Sequence, residues 1–120
     1  MERDMDVIRA LLISKAQGTP EILEAYSNQL LAFHAQLLID AKWVVGEVTY
    51  VHRDGETVPI EYFIERLTMQ GHDFLSASRD AGIWNTAKKK VIASAGGWSL
   101  DILKQWLKIE AARHLSLPFG

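Results

Sequence analysis

The sequence contains no cysteine. Disulfides, thiolate metal sites and a cysteine nucleophile are therefore excluded, and the absence fits a reducing compartment. No apolar run approaches the roughly 20 residues that span a bilayer. The opening Met1-Glu2-Arg3-Asp4-Met5-Asp6 is too acidic and polar for a secretory signal, so the expected location is cytoplasmic. There is no internal repeat, low-complexity tract or evident linker. The four histidines, His34, His52, His72 and His114, do not fall at metal-ligand spacing. Nothing resembles a nucleophile elbow or a phosphate loop, and Gly96-Gly97 reads as a helix break. No enzymatic activity, metal or cofactor is expected.

What is present suits one domain. A chain of 120 residues, 48% apolar and 23% charged, has the composition of a packed globular fold. The net charge of -2 hides an asymmetry. Residues 1–82 carry thirteen acids against seven bases, whereas residues 83–120 carry six bases against two acids. A polyanion would be drawn to the basic end and repelled by the rest.

Apolar periodicity gives the elements. Val7, Ile8, Leu11 and Leu12 recur on one helical face. Asp4 and Asp6 stand at its start, where acids cap free N–H groups, and Gln17-Gly18-Thr19-Pro20 ends it. Glu21–Tyr26 reads as a short strand or irregular link. Ser27 is placed to cap a second helix with Leu30, Phe33, His34, Leu37, Leu38 and Ala41 on its stripe, running to about Lys42. Glu47–Val51 alternates as a strand, His52–Thr57 turns around Asp54-Gly55, and Val58–Leu67 holds the returning strand. Thr68 then caps a helix to about Arg79, and Asp80-Ala81-Gly82 breaks it. Ile83–Ala95 is helical, and Ser99 caps a last helix to about Leu115. On that helix Leu100, Leu103, Leu107 and Ala111 form one stripe, and Ile102, Trp106 and Ile109 form another.

The order helix, link, helix, hairpin, helix is that of a winged helix. The expectation is a mainly helical α+β fold: a winged-helix-like core over 1–82 with a two-stranded wing. Two C-terminal helices over 83–120 would extend the same compact domain. A second helix of a helix-turn-helix is not evident between Gly18 and Ser27.

Several stretches together resemble a bacterial and phage family of unknown function. They are Arg3-Asp4-Met5-Asp6-Val7-Ile8-Arg9, Tyr26-Ser27 with His34, Leu67-Thr68-Met69-Gln70-Gly71-His72-Asp73-Phe74-Leu75, and Trp84-Asn85 with Lys88-Lys89-Lys90. The resemblance implies a winged-helix-like protein often carried by prophages, with no enzymatic activity and no known site. The chain departs from that pattern at Ala35, where leucine is usual, and at Ala41-Lys42-Trp43, where Ala-Gly-Leu is usual.

Two functions follow as expectations. The first is a DNA-binding regulator. Asn28, Gln29 and Gln36 on the helix before the hairpin could read base edges. Arg53 in the wing and Lys88, Lys89, Lys90, Lys104 and Lys108 in the C-terminal part could hold phosphates. The competing explanation for each is a solvated surface, and the reading helix has no base before Lys42. The second is a protein-interaction module that has lost DNA binding, such as a phage inhibitor of a host defence complex, presenting acids where phosphates would sit. A homodimer is expected through Ile102, Trp106, Ile109, Leu117 and Phe119, because surplus apolar surface marks interfaces.

Overall fold

The computed structural model describes residues 1–92 and 99–116. The chain divides into two compact units, Met1–His72 and Asp73–Gly120. This division lies within a helix, ahead of the charge change near Gly82.

The first unit begins with α1 (Met5–Gln17). Asp4 caps it, its carboxylate accepting from the Asp6 N–H at 2.9 Å. Val7, Ile8, Leu11 and Leu12 are buried as the periodicity requires. Gly18 ends the helix with φ 67°, and the Gly18 and Thr19 N–H groups both return to the Ser14 carbonyl. The segment read as a strand or link is instead a 3₁₀ turn, Pro20–Leu23. Its backbone bonds are local, with Ile22 donating to Thr19 and Glu24 to Glu21. Proline at the first position suits a helical turn and removes a donor that a strand would use. One such turn occupies the place of a second helix.

Ser27 caps α2 (Asn28–Asp40), accepting from the Leu30 N–H at 3.1 Å. Its buried face is Leu31, Ala32, His34, Ala35 and Leu38. The expected stripe is thus rotated: Leu30, Phe33, Leu37 and Ala41 are only half-buried. The small side chains Ala32 and Ala35 let α2 lie close against both strands and α1. Lys42 leaves the helix with φ 63°, a conformation that costs an L-residue about 1–2 kcal/mol. Lys42→Gly is expected to raise unit stability by about 0.5–1 kcal/mol, allowing for the entropy glycine loses on folding; a urea midpoint that does not rise would refute this.

β1 (Val44–Arg53) and β2 (Glu56–Leu67) form a two-stranded antiparallel sheet. Asp54 and Gly55 turn the corner with φ 51° and 79°, the paired positive values of a tight hairpin turn. Both strands run longer than the alternating segments suggested. Register shifts at Val45/Gly46 and Thr49/Tyr50 leave Glu65 and Ile60 as extra residues on β2. At the first shift the backbones come so close that a side chain on Gly46 would meet the Phe63 carbonyl.

The strands close onto α3 (Met69–Ser78) through Thr68. Its N–H donates to the Trp43 carbonyl at 2.9 Å, and its hydroxyl donates to the Lys42 carbonyl at 2.7 Å. The same hydroxyl accepts from the Gly71 N–H at 3.2 Å, capping the helix. Trp43, Val44, Ile64 and Leu67 are buried around this joint.

In the second unit Asp80 caps α4 (Ala81–Ala87), accepting from the Ile83 N–H at 2.9 Å. A π-helical turn, Lys88–Ile92, follows. Ser99 caps α5 (Leu100–Ser116), accepting from the Ile102 N–H at 3.2 Å. Phe74 and Trp84 meet edge-to-face with centroids 6.0 Å apart. Leu103 and Leu107 are buried on the predicted stripe of α5. Among the described residues, no helix is long and apolar enough to cross a membrane.

Candidate functional site

Recognition is expected from the sequence on the helix before the hairpin, α2. Asn28 and Gln29 are exposed at its N-terminal end. Gln36 is half-buried, and both ends of its amide are occupied. Its Nε2 donates to Asp40 Oδ1 at 2.9 Å, and its Oε1 accepts from the Tyr50 hydroxyl at 2.6 Å. Tyr50 thus reaches α2 from β1. Sequence reasoning missed Tyr50 and Asp40 because the network joins residues from two elements. The face that results is amides, a phenol and one carboxylate, with no base.

The hairpin tip adds little positive charge. Arg53 pairs across the strands with Glu56, beside Asp54, and His52 Nδ1 lies 3.1 Å from the Thr57 hydroxyl. The fully buried His34 belongs to the framework. Its Nδ1 lies 2.9 Å from the Leu30 carbonyl, and its Nε2 accepts from the Asp4 N–H at 2.8 Å. Those partners fix the neutral ring with its proton on Nδ1.

Burial perturbs two phenols in the first unit. It pushes Tyr62 above the ordinary value of 10.0. It does the same to Tyr50, where the Asp40 charge adds to the effect. A raised folded pKa means that the fold favours the neutral phenol. The associated stability is fully present below about pH 10 and is lost as pH rises through the folded values. Ultraviolet titration of Tyr50→Phe/Tyr62→Phe is expected to lack the latest phenolate phase; an unchanged late phase would contradict it.

In the second unit the expected basic surface is broken up. Lys89 and Lys90 are exposed, but Lys88 is half-buried in the π-helical turn. Lys104 is only 8% exposed. Its aliphatic stem can run along apolar neighbours, which a surface reading of lysine overlooks. Lys108 is engaged with Asp73 at 3.4 Å. On α5, Ile102 and Ile109 are 51% and 60% exposed. Trp106 between them is half-buried and lines a small cavity with Asp80, Ile83 and Glu110. Leu117 and Phe119, expected in the same interface, lie outside the described residues, as do Trp98 and Gly96-Gly97.

Among the described residues no group of histidines and carboxylates could hold a metal. The residues that carry the sequence resemblance hold the fold together. Asp4 caps α1, Met5 is buried, His34 ties α2 to Asp4, and Thr68 and Gly71 secure the corner after α2. Residues 2–97 match the family described as "Hypothetical protein (DUF2513)". The chain belongs to the DUF2513 family. A relative, an uncharacterized protein of Haemophilus influenzae strain Rd, is 27% identical over 112 residues, covering 88% of this chain and 91% of its own. No solved structure matches this DUF2513 chain.

Proposed function

We propose that this DUF2513 protein is a non-enzymatic binding module of winged-helix type whose recognition face is fitted to a protein instead of a duplex. The observation that carries this reading is the outward face of α2. It offers Asn28, Gln29, Asp40 and the Tyr50 hydroxyl, with no arginine or lysine, and Gln36 is already committed. Lysine and arginine contacts to phosphate supply much of the affinity for DNA, and α2 has none of these residues to offer. A cationic protein surface, of the kind that itself grips nucleic acid, complements such a face. In a phage setting that partner would belong to a host nucleic-acid-binding complex.

Duplex binding is the second reading, favoured by the exposed Lys89 and Lys90 and by the free amides of Asn28 and Gln29 at the start of α2. Homodimerisation is proposed through the exposed Ile102 and Ile109 of α5. One experiment separates these readings: light scattering on the full chain at low salt, with and without random duplex. The expected result is a dimer that Ile102→Glu/Ile109→Glu converts to monomer, with no duplex complex. Salt-sensitive duplex binding that falls at least ten-fold in Lys89→Glu/Lys90→Glu would overturn the protein-binding reading.

A further inference from the structure

Within the first unit, the end of α1, the 3₁₀ turn and β2 enclose a groove of about 360 Å³. Leu11, Leu23 and Ile64 give it apolar walls, and the buried Ser14 a polar one. Its third side is three successive residues of β2, Tyr62–Ile64. Side chains alternate between faces along a strand, so a wall of consecutive residues is formed by the strand's edge as well as by its side chains. β2 is paired with β1 along one edge, and among the described residues no strand pairs along the other. The Pro20–Leu23 turn lies at the groove but spends its backbone groups on its own local bonds.

The charge around this edge has one dominant sign. Segments 11–24 and 61–65 carry Glu21, Glu24, Glu61 and Glu65, all exposed, against the single base Lys15. The Lys15 ammonium is itself held 5.8 Å from the centroid of the Phe63 ring. Arg66 follows just beyond, opposite Val45. Phe63 is 57% exposed, an aromatic surface at the rim of the groove.

We propose that this edge takes an extended peptide from a partner protein, added as a third strand along Tyr62–Ile64. One apolar side chain enters the groove over Leu11 and Leu23, and flanking lysines or arginines face Glu21, Glu61 and Glu65. Main-chain bonds to an open strand edge supply affinity in this mode, and the pocket and rim charges supply selectivity. The inference rests on the reading of the chain as a protein-binding module but uses a surface other than α2. Asp40→Lys, which disables the α2 face, is expected to leave it intact, so the two can fail separately.

The test uses the full chain and two blocked synthetic peptides, Lys-Arg-Val-Leu-Val-Arg-Lys and Glu-Asp-Val-Leu-Val-Asp-Glu, followed by fluorescence anisotropy at low salt. The basic peptide is expected to bind at least ten-fold more tightly. Glu61→Lys/Glu65→Lys, with an unchanged circular dichroism spectrum, is expected to reverse that preference. Hydrogen exchange is expected to slow at the Tyr62–Ile64 amides when the basic peptide is bound. Failure of both peptides to bind, equal binding of both, or binding without that protection would overturn the proposal. So would concentration-dependent protection of these amides without peptide, which would assign the edge to a second copy of the chain.

Discussion

Gly71→Ala is expected to destabilise the protein by about 2–3 kcal/mol, in the range of overpacked sites, although alanine is the better helix former by about 1 kcal/mol. The two effects have opposite signs, so the result is decisive. Gly71 lies in the first turn of α3, where a Cβ would overlap the Trp43 carbonyl oxygen. That oxygen already accepts from the Thr68 N–H, and Trp43 is fully buried. Neither side can yield without moving backbone. Urea unfolding followed by circular dichroism measures the change, and a variant as stable as the parent would show that the joint is not closed as described.

The second large effect is expected at His34. His34→Ala removes a fully buried ring and should cost about 3–4 kcal/mol, the range for a large core truncation. His34→Leu restores most of the volume but neither nitrogen. It is expected to cost about 1–2 kcal/mol, the loss from a bonded pair whose partners are left in place. The difference between the variants reports packing, and the residual loss in His34→Leu reports the bridge from Leu30 to Asp4. If His34→Leu matched the parent in urea midpoint, that bridge would contribute nothing.

The fold was most legible where a local rule acts within a few residues. Asp4, Ser27, Thr68 and Ser99 were recognisable as caps from their positions, and Asp54-Gly55 as the hairpin turn. The buried stripe of α2 was less legible, because Ala32 and Ala35 carry little hydrophobic signal although close packing buries them. Phe33 carries a strong signal and is only half-buried. The 3₁₀ turn was missed because Glu21–Tyr26 is too short for periodicity to separate strand from helix. The candidate sites were hardest. Gln36 read as free because its partners Asp40 and Tyr50 are fixed by the fold, and Lys104 read as surface because charge in a sequence carries no depth. The groove at Tyr62–Ile64 depends on a strand edge left unpaired, and no residue type announces that.

The Thr68 joint has a consequence for how this fold can change. Its bonds to Lys42 and Trp43 tie together the two feet of the hairpin, so the ribbon leaves and re-enters the body at one anchored point. A tip with its feet fastened in this way is a cassette. Its length and charge can drift between lineages, or be exchanged by design, while the helices beneath it keep the same footing.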